Sequence, residues 1–206
     1  MLKIWGRNTS SNVQKAMFAV GELGLDYERI DVGGSFGKNR EPAYLAMNPN
    51  GLVPTLDEDG FLLWESNSII RYLAAKFGAG KLEPTDPKTR AKANQWMDWQ
   101  LSVMGPAITP VFWGMIRTPP EKRDMVAISK AAADTGKLWA RLDEKLAGKL
   151  YVAGRHFTMG DIAVGCWVHS WHALPIERPE LKNVQAWYER LQTRPAYAEH
   201  VMVPLT

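Results

Sequence analysis

Residues 48–56 have the sequence NPNGLVPTL, in which a proline stands directly before a strand-like segment. Pro54 removes one hydrogen-bond donor at the start of that strand, and a Val-Pro bond in such a tight entry is a plausible cis peptide. An outward-facing backbone at Val53 would let an extended peptide pair with it as an added strand. A simple hairpin entry is the alternative interpretation of the same residues.

Around this stretch, strand and helix patterns alternate over residues 1–80. Four segments have the pattern of strands: residues 2–5, 27–32, 55–57 and 61–64. Apolar residues at three-to-four spacing predict one helix that ends at Gly24 and another that begins at Ser66 and ends at Gly78. This alternating order of strands and helices predicts an α/β layer with a small mixed sheet.

The second part of the chain has a different pattern. Residues 81–87 carry two prolines and little periodicity, which predicts a linker in which Asp86 caps a helix that begins at Pro87. Residues 88–206 read as helices throughout, with a break expected near Gly105. We therefore predict an all-α helical bundle as the second domain.

Composition excludes several classes of function. The net charge is only +3 and no run of basic residues occurs, so a nucleic-acid partner is not expected. The longest apolar stretch, residues 162–168, is too short to cross a membrane, and the first residues lack the pattern of a secretory signal. Cys166 is the single cysteine, which excludes an intramolecular disulfide and fits a reducing, cytoplasmic location.

Two helix starts in the first domain carry hydroxyl groups. The loop of residues 9–12 places Ser11 at the mouth of the first predicted helix, where partial positive charge favours an anion. The alternative is that Ser11 caps this helix, with Gln14 completing a capping box. At the next helix, Ser66 can hold a carboxylate and Glu65 an ammonium, which suits the amino-acid end of a zwitterion. A capped helix explains Ser66 equally well.

Together these segments resemble the glutathione transferase family, in its bacterial, serine-type or theta-like form. The resemblance rests on Ser11, on NPNGLVPTL at 48–56, on ESNSIIRYL at 65–73 and on FTMGDIA at 157–163. It covers the whole chain in the family's order and implies a thioredoxin-like first domain with a mixed four-stranded sheet. In the last motif, it also implies a capping box formed by Thr158 and Asp161.

The resemblance assigns roles to several residues. It implies that Val53 pairs with the cysteinyl backbone of glutathione, that Pro54 is cis, and that Glu65 with Ser66 grips the γ-glutamyl group. Lys38 and Arg40 lie in a long connection where a basic side chain can meet the glycine carboxylate, although a solvated loop charge is the alternative. For activation of the thiol, Ser11 matches the serine-type position and Asn12 the asparagine of some bacterial relatives, while Thr9 and Ser10 stay open.

The implied function is conjugation of the glutathione thiolate to small hydrophobic electrophiles, a detoxification reaction, by a cytoplasmic homodimer. Glutathione would be the co-substrate. Other chemistry on the same fold is open: a glutathione-dependent isomerase, dehalogenase or peroxidase, or a binding protein without turnover.

Aromatic residues near the start of the helical domain predict a pocket for the second substrate. Phe112 and Trp113 are the candidates, because nearby prolines can open a cleft between the domains. Cys166, His169 and His172 share one helix at a spacing of three, but successive steps drift around the helix and no carboxylate joins them, so no metal site is expected.

Overall fold

The first 64 residues supply four short strands that form one mixed sheet in the order β2-β1-β3-β4. The strands are β1 (Leu2–Trp5), β2 (Tyr27–Ile30), β3 (Thr55–Glu58) and β4 (Phe61–Trp64). Strand β1 runs parallel to β2 and antiparallel to β3, with Ile4 opposite Leu56, and β4 closes a hairpin with β3. The predicted four-stranded mixed sheet is confirmed.

The computed structural model describes all of residues 1–206. In its first part, one helix follows β1, a second follows β2 and a third follows β4. They are α1 (Ser11–Leu23), the short α2 (Pro42–Leu45) and α3 (Ser66–Phe77), and α1 packs against α3. Helix α1 stops at Gly24, whose φ of 63° is the left-handed conformation that glycine adopts without strain. The apolar face predicted for α3 is correct except at Phe77, which is 40% exposed because it lies in the last turn.

The second part of the chain is helical. Its helices are α4 (Pro87–Trp99), α5 (Gly105–Phe112), α6 (Met125–Leu146), α7 (Met159–Ala173) and α8 (Lys182–Gln192). Asp86 caps α4 by accepting a hydrogen bond from Thr89 N at 2.8 Å, as predicted. At α7 the predicted capping box of Thr158 and Asp161 is also confirmed. No helix is both long enough and apolar enough to span a membrane.

The predicted break near Gly105 is wrong. Helical structure continues through a π-helical turn at Gln100–Met104 into α5, and a second such turn, Trp113–Arg117, follows α5. Pro106 has no N–H to give to the preceding turn, and the π-helical turn before it shifts the backbone hydrogen bonds by one residue. The proline is therefore accommodated without ending the helical path.

Two compact units divide the chain. One contains Met1–Glu83 together with Arg194–Val203, and the other contains Pro84–Thr193 with the last three residues. The division predicted from sequence, with domains at 1–80 and 88–206 joined by a linker at 81–87, stays a prediction. It did not anticipate that residues near the carboxyl end belong to the first unit.

A last short helix, α9 (Pro195–His200), completes the first unit by packing on α1. The ring of Tyr197 meets the ring of Phe18 edge-on at 5.2 Å. Arg194 Nε donates to the Glu22 carboxylate at 2.7 Å, and this ion pair is largely shielded from solvent. The start of α9 is thus joined to α1 by both apolar and charged contacts.

His172 on α7 gives the helical unit a dependence on pH. Its ring stacks on Tyr188 of α8 at 4.5 Å, and burial, followed by the charges of Arg178 and His169, lowers its pKa from 6.5 to about 4. The unfolded chain therefore takes up a proton at a higher pH than the folded one, so stability present above pH 6.5 is lost as the pH falls toward 4. We expect the free energy of unfolding of the wild type to fall by about 1–2 kcal/mol more than that of His172→Phe over this pH range, after allowance for solvent screening.

Urea unfolding of both proteins at several pH values measures this difference. The comparison cancels the contributions of all other titrating groups, and the phenylalanine preserves the stacked ring. Parallel curves of unfolding free energy against pH would contradict the prediction.

Candidate active site

The backbone N–H groups in the first turn of α1 are not capped by any side chain. Ser10 is the N-cap residue and Ser11 the first helical residue, and no side chain accepts from the first-turn N–H groups. Gln14 Nε2 donates instead to Asn8 O at 3.0 Å, so the capping-box interpretation of Ser11 and Gln14 is wrong. The Ser11 hydroxyl makes no hydrogen bond within the chain. Both the hydroxyl and the helix start are free to meet an anion.

A buried polar cluster fixes the segment before β3. The Tyr44 hydroxyl donates to Leu52 O at 2.7 Å and lies 2.9 Å from Thr55 Oγ1, and Asn48 Nδ2 donates to Leu52 O at 2.8 Å. Burial raises the pKa of Tyr44, so its hydroxyl remains a donor at neutral pH. The Val53–Pro54 peptide bond is cis, as predicted. Val53 makes no backbone hydrogen bond, so its N–H and C=O are available to a ligand.

The start of α3, like the start of α1, has no side-chain cap. Glu65 is exposed and is its N-cap residue, with a φ of 70° that a residue other than glycine rarely adopts. Such a conformation costs of order 1–3 kcal/mol and clusters at functional sites. No side chain caps α3, and Ser66 is its buried first residue, so the interpretation of Ser66 as a cap is wrong.

Two hydrogen bonds join the starts of α1 and α3. Ser66 Oγ donates to Asn12 Oδ1 at 3.3 Å, and Lys15 Nζ, one turn farther along α1, donates to Asn67 Oδ1 at 3.0 Å. Lys15 is 0% exposed. Sequence reasoning missed Lys15 and Asn67, because a lysine within a helix reads as a solvated side chain. The two bonds hold the predicted thiol-activating residues beside the predicted γ-glutamyl site.

Gly6 allows the segment at Val53 to lie against α1 near its start. Its φ is +154°, and a Cβ atom built on it would lie 2.5 Å from Val13 Cγ2 and 3.2 Å from Val53 Cβ. Only glycine permits this close approach. The end of β1, the start of α1 and the segment at Val53 therefore meet at Gly6.

The remaining candidates are Arg40 in the first unit and Phe112 and Trp113 in the helical unit. Arg40 is exposed, and its Nη1 lies 3.4 Å from Asn50 O on the loop that leads to Val53. In the helical unit, Phe112 is 7% exposed within an apolar cluster that includes Met115 and Ile128. Trp113 is 54% exposed, with the guanidinium of Arg117 4.9 Å above its ring. A substrate role for Phe112 and Trp113 stays a prediction.

Two family models match the chain. The model of the glutathione S-transferase N-terminal domain covers residues 9–76, and the model of the glutathione S-transferase C-terminal domain covers residues 126–190. The chain belongs to the glutathione S-transferase family. The matched ranges contain Ser11, Val53 and Glu65 in the first model and the capping box of α7 in the second.

Individual relatives of the chain are similar over almost its whole length. Glutathione S-transferase GstB of Escherichia coli is 42% identical over 208 residues, which cover the whole of both chains. The crystal structure of a theta class glutathione S-transferase from Xanthomonas axonopodis pv. citri with glutathione bound is 49% identical, with a TM-score of 0.97 over 100% of this chain and 99% of that one. The disulfide-bond oxidoreductase YfcG of E. coli is 28% identical over 93% of this chain and 90% of its own.

Proposed function

We propose that this chain is a glutathione S-transferase that binds glutathione in its first unit and transfers the thiolate to small hydrophobic electrophiles. One observation carries the proposal: two uncapped helix starts, joined through Asn12 and Ser66, lie beside a free backbone at Val53. The glutathione-bound relative from X. axonopodis, similar over its whole length, supports the same conclusion.

The start of α3 fits the charged end of the γ-glutamyl group. Its first-turn N–H groups and the hydroxyl of Ser66 would hold the α-carboxylate, since helix starts favour anions. The exposed carboxylate of Glu65, held there by its left-handed backbone, would take the α-ammonium. Buried Lys15 fixes this end of α3 by donating to Asn67 Oδ1 at 3.0 Å.

The other parts of the tripeptide meet the neighbouring segments. The free N–H and C=O of Val53 would pair with the cysteinyl backbone, as in the addition of a strand. Arg40, on the exposed loop next to Asn50, would meet the glycine carboxylate. These contacts would direct the sulfur toward the start of α1.

Ser11 and the start of α1 would stabilise the thiolate. A free thiol with a pKa near 8.5 is only a few per cent ionised at neutral pH. Lowering that pKa by about two requires roughly 2.7 kcal/mol of preferential stabilisation. A hydrogen bond from Ser11 to the thiolate supplies about 1.5–3 kcal/mol, and the helix start adds about 0.3–1. The thiol proton passes to water, and the thiolate forms a C–S bond to the electrophilic carbon of the second substrate as the bond from that carbon to its leaving group breaks.

Titration calorimetry with glutathione tests the binding site. We expect Ser66→Ala and Glu65→Gln each to raise the Kd at least about tenfold, because each removes a charge-assisted hydrogen bond. Ser68→Ala, on the same turn of α3, and Glu41→Gln, on the exposed loop before α2, are matched controls that should stay within about twofold. Binding that is unchanged in the first pair of variants would refute the proposed site.

We also propose that the enzyme is a cytoplasmic homodimer that serves detoxification. Family membership supports the dimer, and the single buried cysteine, Cys166, fits a reducing compartment. Sedimentation equilibrium of the purified protein tests the dimer, and a mass of about 23.1 kDa would contradict it.

A further inference from the structure

Lys15 is a completely buried lysine in the first unit. It lies one turn into α1, among apolar residues of that helix, and is 0% exposed. Lysine is almost never buried in full, because removing an ammonium from water costs free energy that a methionine of similar volume would not cost. Packing therefore does not account for a lysine at this position, and its hydrogen bonding indicates what the amine does.

The amine of Lys15 bonds to the start of α3. Nζ donates to Asn67 Oδ1 at 3.0 Å, and Asn67 is only 3% exposed. Asn67 is the second residue of α3, and no side chain caps the first turn of this helix. The backbone N–H of Asn67 is therefore one of the donors that would hold the α-carboxylate of glutathione. Lys15 thus holds, from within the protein, the turn that carries this part of the proposed site.

A second bond between the two helices is weaker. Ser66 Oγ donates to Asn12 Oδ1 at 3.3 Å, which is long for a hydroxyl donor, since such bonds usually measure about 2.5–3.0 Å. This bond is only partly buried, and Asn12 is exposed. Water competes for an exposed hydrogen bond, whereas one in the interior is electrostatically stronger. The bond from Lys15 is therefore the firmer of these two links between α1 and α3.

The backbone at Glu65 requires such a link. Its φ of 70° is a strained conformation for a residue other than glycine, and strain of this kind persists only where the surrounding structure fixes it. Asn67 is two residues away, and its bond to Lys15 ties the first turn of α3 to α1, against which α3 packs. The same bond therefore supports the backbone conformation that presents the Glu65 carboxylate.

We propose that Lys15 is a positioning residue for glutathione: through Asn67 it fixes the first turn of α3, so that Glu65 and Ser66 are in place before the ligand arrives. The inference rests on the proposed glutathione site and assigns Lys15 no contact with substrate. A site that is already ordered binds more tightly, because less conformational freedom is lost on binding.

A double-mutant cycle of Lys15→Met, Asn67→Leu and the double variant tests this role by titration calorimetry with glutathione and by conjugation kinetics. We expect both single variants and the double variant to raise the Kd by the same factor, at least about fivefold, because all three remove one and the same bond. The kcat at saturating substrates should stay within about twofold of the wild type, because Ser11 and the start of α1 are unchanged.

Urea unfolding of the same proteins separates positioning from loss of stability. Each single variant leaves a buried polar group without this partner and should unfold at lower urea, whereas the double variant replaces both partners by apolar groups and should recover much of the loss. Its glutathione affinity should nevertheless remain weak. Thr135→Val is the matched control: it removes a buried bond to Ala107 O in the helical unit and should leave the Kd within about twofold.

Three outcomes would overturn the role of Lys15 while leaving the proposed site intact. They are wild-type affinity in Lys15→Met, an effect in the double variant equal to the product of the two single effects, and recovery of affinity together with stability in the double variant. A wild type that does not bind glutathione would instead refute the site itself, and the role of Lys15 with it.

Discussion

Asp161→Ala should lower the free energy of unfolding by about 3–5 kcal/mol. The carboxylate is completely buried and accepts four hydrogen bonds. Oδ1 accepts from Val152 N at 2.9 Å and from Trp187 Nε1 at 3.0 Å. Oδ2 accepts from Thr158 N at 2.9 Å and from Thr158 Oγ1 at 3.1 Å. Alanine would leave all four donors without a partner in the interior, which is the costly case for buried polar groups.

Urea unfolding at neutral pH measures the loss, and two further variants locate its cause. Asp161→Asn preserves the shape but turns one acceptor into a donor that faces other donors, so it should also be strongly destabilising. Asp86→Ala removes an exposed cap of α4 and should lower the free energy of unfolding much less than Asp161→Ala does. A loss at Asp161 no larger than that at Asp86 would show that the buried network contributes little.

Ser11→Ala should lower kcat/KM for glutathione conjugation about 10–100-fold, while the Kd for glutathione changes little. The reason is that Ser11 would act on the sulfur alone, through a hydroxyl that has no partner within the chain. Asn12→Ala should affect binding as well, because its Oδ1 holds the Ser66 hydroxyl at 3.3 Å. The two variants thus separate activation of the thiol from binding of the γ-glutamyl group.

Two measurements decide the assignment of Ser11. A chromogenic conjugation assay gives kcat and KM, and the ultraviolet absorbance of the bound thiolate gives the thiol pKa, which should rise toward 8.5 in Ser11→Ala. Thr9→Ala and Ser10→Ala test the two other candidates in the same loop, and we expect both variants to keep turnover and a low thiol pKa. If Ser11→Ala keeps full turnover and a low thiol pKa while Asn12→Ala loses both, Asn12 is the activating residue.

Much of the fold follows from local patterns in the sequence. The apolar spacing of α1 and the alternation in β1 each place one face in the core, and Gly24 and Asp86 mark helix ends by well-understood backbone chemistry. The break expected near Gly105 was wrong, because a π-helical turn can absorb a proline that would otherwise end a helix. Such a turn has no local sequence signal.

The candidate site was predictable where its residues are neighbours in sequence. Val53 with Pro54 and Glu65 with Ser66 are adjacent pairs, so a motif reveals them. The bonds from Ser66 to Asn12 and from Lys15 to Asn67 join residues more than fifty positions apart. These contacts arise only when α1 packs on α3, and no local pattern encodes them.

The position of α9 on α1 has a consequence for synthesis on the ribosome. The first unit consists of two stretches separated by the whole of Pro84–Thr193, and the chain is made from its amino terminus. While the helical unit is being translated, the ring of Phe18 lacks Tyr197 and the carboxylate of Glu22 lacks Arg194. The nascent protein therefore carries an open apolar patch on α1 until residues 194–203 emerge, and a premature stop codon before Arg194 would leave that patch permanently uncovered.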